Sequence, residues 1–250
     1  MASGVEPLEG LRENEISIDD WETGVEEFQE YNTDALWGAL GLADTRLLPS
    51  FNPVQDARDD ASERVDPWDT ENWASFLASG EGVKLEPRWH QLVGLVKIMR
   101  HVIEGKPLLL MDQVGVGKTL QIVAAITTYG LFHRYFQTHK KFPGAYAGMR
   151  APTPDGNLPD VFHLVCVPPS LFIQWQQEIR RYVKHGAVDL FPYEGAWSAE
   201  GRKLLWEQIN ARQRPRCEII ILVKEPVSSV HFKLVSCITY RRRVLTGLCL

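Results

Sequence analysis

The sequence predicts an α/β domain in which a mostly parallel sheet is covered by helices. Three observations point there. From residue 83 onward, apolar runs of strand length alternate with segments of helical periodicity. The strand-like runs are continuously apolar rather than alternating, as expected of strands buried on both faces. One passage also reads strand, glycine loop, helix, and its loop ends in the Gly-Lys-Thr of a phosphate-binding motif. A chain of 250 residues, 44% of them hydrophobic, has room for such a core.

Composition divides the chain. Residues 1–82 carry 20 Asp and Glu against 4 Arg, and the remainder carries 12 acids against 23 Lys and Arg. An acidic leader beside a basic body fits either a solvated linker or a tail that masks a nucleic-acid surface. The opening "MASGVEPLEGLRENE" has no basic start followed by an apolar stretch, and "PLLLM" and "IIILV" are too short to span a bilayer. Together these point to a non-secreted protein without membrane spans. Cys166, Cys217, Cys237 and Cys249 form no C-x-x-C pair and have no histidine at ligand spacing, so sequence suggests neither a disulfide framework nor a zinc site. Cys166 and Cys217 lie in apolar runs and read as buried thiols.

Within the leader, taken as 1–82 and as partly disordered, two short helices are expected. "TDALWGALGLADTRLL" places Leu36, Leu40 and Leu42 with Trp37 in a helical pattern, with Thr33 or Asp34 as the cap, and "DTENWASFLASG" ends at Gly80. They could dock on the body or on a partner. Between them "PSFNPVQDARDDASERVDP" reads as linker. In the body, "RWHQLVGLVKIMRHVIEG" carries a helical stripe closed by Gly105. "PLLLMD" then reads as a buried strand, and "KTLQIVAAITTYGLFHRYF" as a helix starting at the loop. A Pro- and Gly-bearing basic insertion, "HKKFPGAYAGMRAPTPDGNLPD", separates this unit from the next. Strand "VFHLVCV", helix "PSLFIQWQQEIRRYVKHG", strand "VDLFPY", helix "SAEGRKLLWEQINA" and strand "CEIIILV" follow.

The loop "DQVGVGKT", Asp112, Gln113, Val114, Gly115, Val116, Gly117, Lys118 and Thr119, departs from G-x-x-x-x-G-K-[ST] at its first position, where Asp112 replaces glycine. Backbone N–H groups in such a loop curl around the β-phosphate at a helix N-terminus, Lys spans the β- and γ-phosphates, and Thr holds Mg²⁺. Gly115, Gly117, Lys118 and Thr119 are present between a strand and a helix, the context the motif requires. An Asn-Lys-x-Asp guanine-reading motif is absent from the sequence. Upstream, Gln91 offers a donor and an acceptor together, matching the N6 and N7 edge of adenine.

With these residues in hand, the sequence resembles the Swi/Snf-type helicase-like ATPases of superfamily two over about residues 84–225. "LEPRWHQLVGL" resembles the family's glutamine motif, "MDQVGVGKTLQ" its phosphate loop, in which Asp is common at the place of Asp112, and "VCVPPSLFIQWQQEI" its next motif. The resemblance implies a RecA-like lobe at 83–225, ATP and Mg²⁺ as ligands, double-stranded DNA or chromatin as partner, and a nuclear location. It places Pro168, Pro169, Ser170 and Trp175 beside the nucleic-acid groove. From the residues themselves, Ser170 also reads as a helix N-cap and Trp175 as a packing residue.

The sequence departs from the family at Gln113, where an acid is common, and at Trp89, where proline is. The family's hydrolysis needs an Asp-Glu pair on a later strand, and none follows Lys118. "CEIIILVKEP" has the strand, but Lys224 would repel Mg²⁺. Two functions stay open: the N-terminal part of a DNA-dependent ATPase, or a module that binds ATP or nucleic acid without turnover. A P-loop kinase is disfavoured by Gln91 and the Trp175 helix. The lobe is expected to be incomplete at its C-terminus. Residues 226–250, with Arg241, Arg242 and Arg243, read as an atypical tail, and Val227-Ser228 fits the start of translated intron sequence.

Overall fold

The computed structural model describes residues 26–113, 115–194 and 198–224, together with the backbone of 248–249. The expectations for 1–25, for Val114 and for the side chains of the tail, including Arg241, Arg242 and Arg243, fall outside the described residues. Contacts divide the chain into one unit up to Tyr31 and a second from Asn32 onward. In the first, Glu26–Phe28 forms a 3-10 turn, and the rings of Phe28 and Tyr31 meet edge to face.

The second unit begins with α1 (Thr33–Ala39), capped by Asn32, whose side chain accepts from the Ala35 N–H. The cap therefore lies one residue before the expected Thr33 and two before the alternative Asp34. Strand β1 (Val54–Gln55) follows, then α2 (Thr70–Ser79), capped by Asp69 and closed by Gly80 in the left-handed conformation, and then β2 (Val83–Lys84), antiparallel to β1.

Helix α3 (Trp89–Glu104) ends at Gly105 and packs on α4 (Lys118–His139). The sheet is built from β3 (His163–Val167), β4 (Asp189–Tyr193) and β5 (Ile219–Lys224), all parallel, in the order β4-β5-β3. Helices α5 (Phe172–Tyr182) and α6 (Ala199–Asn210) connect them, and the backbone of β6 (Leu248–Cys249) pairs with the free side of β3.

Side-chain alternation explains the two covered faces. Ile219 and Ile221 of β5 join Phe191, Tyr193, Leu205 and Ile209 in the cluster under α6. Ile220 and Leu222, one residue out of phase, are buried on the opposite face. Pro192 fits because β4 lies at the sheet edge, where a missing N–H breaks no central ladder. Residues Leu120 to Gly130 of α4 are buried without interruption, so this helix runs inside the molecule and not along its surface. It is the helix that carries the loop.

Two segments differ from expectation. Pro107 to Asp112 form no strand: Leu109 is 70% and Met111 62% exposed. An apolar run becomes a strand only when a sheet edge pairs with it, and among the described residues none lies beside this one. Conversely, the acidic stretch read as linker is folded onto the end of α5. The Asn52 N–H donates to the Tyr182 carbonyl at 2.8 Å, the Lys184 N–H to Ser50 at 2.8 Å, and the Trp68 indole to Val183 at 2.8 Å. Phe51 stacks on Tyr182, and Arg180 pairs with Asp66 at 3.1 Å. Asp56 is buried here, held by the Arg58 side chain and the Val65 N–H. The Arg58 bond is the main reason its carboxyl lies far below the usual carboxylate range.

The basic insertion is anchored as well. Phe142 and Tyr146 are buried against Phe132, and the Tyr146 hydroxyl donates to the Val96 carbonyl at 2.9 Å. Gly144 lets this insertion touch the end of α1, since a Cβ there would lie 2.2 Å from the Ala39 carbonyl oxygen.

Candidate nucleotide site

The site is the turn from residue 112 into α4. Gly115 and Gly117 both have φ +88°, and Gly117 is the residue that opens the helix. A side chain at Gly117 would also collide with Gln91, whose Nε2 would lie 2.2 Å from the added Cβ. Glycine is required there for conformation and for space. The N-termini of α1, α2 and α6 are each capped by a side chain, from Asn32, Asp69 and Ser198. Helix α4, 22 residues long, starts with no side-chain cap bond, as α3 and α5 also do. Its first N–H groups and the positive end of its dipole are thus left for an anion.

Lys118, at the first position of that helix, folds its ammonium back on the loop and donates to the carbonyls of Asp112, at 2.7 Å, and Gln113, at 2.8 Å. Thr119 follows, half-buried in the first turn. Asp112 and Gln113 are exposed, Val116 and Gly117 are half-buried, and Gly115 is exposed.

Gln91 has a different occupation from that expected. Its Oε1 accepts from the Arg88 N–H at 2.9 Å and its Nε2 donates to the Val116 carbonyl at 3.1 Å. The same carbonyl lies 3.0 Å from His90 Nε2. The amide therefore ties the start of α3 to the loop, and it would have to exchange these bonds to meet an adenine edge. Trp89 is the residue that opens α3.

Asp112 acquires a role the motif does not give it. One carboxylate oxygen accepts from Gln121 Nε2 at 2.9 Å, so the residue replacing the first glycine is moored to α4. Gln121 is fully buried, and its Oε1 has no hydrogen-bond partner among the described residues. It fits only because position 94 is glycine: a Cβ there would lie 1.9 Å from Oε1. Sequence reasoning missed Gln121, Gly94 and His90. The signal available was a polar residue inside the otherwise apolar "TLQIVAAI".

The nucleic-acid candidates separate. Ser170 is exposed in a 3-10 turn, Pro169–Leu171, at the end of β3, and it does not cap α5. The residue before α5 is Leu171, which makes no side-chain cap bond. Trp175 is 6% exposed and packs as a core residue, the reading the sequence offered beside its placement at the groove.

A bare helix N-terminus, two glycines of positive φ and an invading lysine define a P-loop nucleotide-binding lobe of RecA-like α/β architecture. More particularly, the SNF2-related domain matches residues 90–242, and the chain belongs to that family, the Swi/Snf-type helicase-like ATPases of superfamily two. The match takes in α3, the loop and all three principal strands. Members of the family generally use nucleotide with Mg²⁺ and bind DNA. Comparison with curated proteins gives no match. No helix among the described residues is long and apolar enough to cross a membrane.

Proposed function

We propose that this chain supplies the ATP-holding loop of a DNA-dependent Swi/Snf-type ATPase, a DNA translocase or chromatin remodeller acting in the nucleus. The observation that carries the reading is the start of α4, with no side-chain cap and with Lys118 satisfied by the loop's own carbonyls at 2.7 and 2.8 Å. Polyphosphate oxygens are the natural replacement for those two acceptors, and the loop N–H groups add to them. The donor set fits the magnesium complex of a nucleotide: the Thr119 hydroxyl would hold Mg²⁺, which screens phosphate charge. Lys118 would hold the phosphates, Gly115 and Gly117 would let the backbone approach, and Asp112 would fix the loop through Gln121.

We further propose that these 250 residues by themselves bind ATP without turning it over, because no Asp-Glu pair follows Lys118. The DNA face is assigned to the exposed turn around Ser170 at the end of β3. Single-turnover hydrolysis with and without duplex DNA tests both parts. The expected result is bound ATP that stays intact under both conditions. DNA-stimulated hydrolysis would make this segment a complete ATPase and overturn the binding-only reading.

A further inference from the structure

His133, Asp160 and Cys217 come from the middle of α4, the approach to β3 and the 3-10 turn Arg216–Glu218 before β5. Folding brings them together: one ligand atom of each lies within 4.8 Å of the other two. They supply a nitrogen, an oxygen and a sulfur, the mixed donor set that suits zinc-class divalent cations.

Backbone groups already orient two of the three. His133 Nδ1 lies 2.7 Å from the Leu158 carbonyl, to which it donates, leaving the lone pair on Nε2. That lone pair is met at 2.9 Å by the amide of Gln137, an exposed side chain one turn along α4 that can swing into solvent. One oxygen of Asp160 accepts the Cys217 N–H at 2.9 Å, which draws the carboxylate against the residue bearing the thiol. Arg134, the nearest cation on α4, is engaged by Glu218. A cavity of about 790 Å³ borders the group and is lined by Val102, Tyr129, His133, Leu158 and Asp160 among others. His133 and Asp160 therefore border space in which a further ligand can sit.

We propose that His133, Asp160 and Cys217 bind one zinc-class divalent cation, with a fourth coordination position open to the cavity for water or a small anion. On binding, the Cys217 S–H bond breaks, its proton leaves to solvent, and the sulfur's electron pair forms the bond to the cation. The cation then ties α4, the helix that the nucleotide loop opens, to the insertion and the start of β5 at one point. The three ligands are separated by 27 and 57 residues, which is why linear spacing shows no motif.

Cobalt(II) titration of the reduced, untagged chain tests the site. Expected are one equivalent bound and a sulfur-to-cobalt charge-transfer band, reversed by zinc. Cys217→Ser should remove the band. Asp160→Asn, at an exposed position, should fold normally and weaken cobalt binding at least 10-fold. Cys166→Ser and the double variant Cys237→Ser/Cys249→Ser should keep both. Absence of a band in the unaltered chain, a band that survives Cys217→Ser, or affinity unchanged in Asp160→Asn would each overturn the proposal.

Discussion

Replacing Gln121 by leucine should separate nucleotide binding from stability. The fully buried amide makes one bond to a charged group, Asp112 at 2.9 Å, and leaves Oε1 without a partner among the described residues. Turning the amide over does not help, because the carboxylate would then face an oxygen. A bond to a charged partner contributes about 1.5–3 kcal/mol, whereas an unsatisfied buried acceptor costs about 1–3 kcal/mol. Leucine removes both at nearly constant volume, so the two effects cancel to within about 1 kcal/mol. The loop fares differently. Asp112 loses its mooring, and its free carboxylate repels phosphate at the mouth of the site. Mg-ATP affinity should fall about 10-fold, equivalent to about 1.4 kcal/mol. Urea unfolding and titration with a fluorescent ATP analogue measure the two quantities on the same preparation. Asp112→Asn, which keeps an acceptor for the Gln121 amide, should retain affinity. Loss of about 3 kcal/mol or more of stability with unchanged affinity would refute the reasoning and make Gln121 a purely structural residue.

Gly94→Ala drives a methyl group to 1.9 Å from Gln121 Oε1 and should cost about 1–3 kcal/mol by overpacking, recovered in large part in the double variant with Gln121→Ala; urea midpoints of the four proteins give the coupling. His163, buried beneath Tyr129 and donating to the Cys217 carbonyl at 3.1 Å, is pushed down to about 4 by burial. Its stability contribution is complete above the unfolded value of about 6.5 and is lost as pH falls, so unfolding free energy should drop by about 2 kcal/mol between pH 7.5 and pH 5. His163→Gln should remove most of that slope, and an equal slope in the variant would assign it elsewhere. Deleting residues 1–31 removes 10 acids and one arginine and should tighten duplex DNA binding at low salt if the leader masks the body; equal binding in a gel-shift titration would exclude masking. Deleting 1–82 should instead abolish folding, seen as loss of the cooperative thermal transition, because Leu36, Leu40, Phe51 and Phe76 are all buried.

The strands and helices after Lys118 are legible because each announces itself locally: continuous apolar runs for β3 and β5, and helical spacing for α5 and α6. Less legible was anything decided by distant backbone. Asn52 looks like a linker residue until the carbonyl of Tyr182 is placed beside its N–H. "PLLLM" looks like a strand because hydrophobicity reports burial tendency, whereas a strand also needs a hydrogen-bonding neighbour. In the site, the glycines and Lys118 follow from the motif. The mooring of Asp112 by Gln121, over the space left at Gly94, joins two helices and a loop that no local pattern connects. Gln91 suits an adenine edge by its chemistry but is engaged elsewhere, since its amide can serve a helix start and a carbonyl as readily as a base edge.

Calorimetric titration of the 250-residue chain with Mg-ATP, beside Lys118→Ala, addresses the central claim most directly. Lys118 makes its two side-chain bonds only to exposed loop carbonyls, so alanine should leave the fold intact. The account predicts one Mg-ATP per chain, weakened about 10- to 100-fold in the variant through loss of a charge-assisted contact of about 1.5–3 kcal/mol. Absence of Mg-ATP binding by the unaltered chain, or equal affinity in the folded variant, would contradict it.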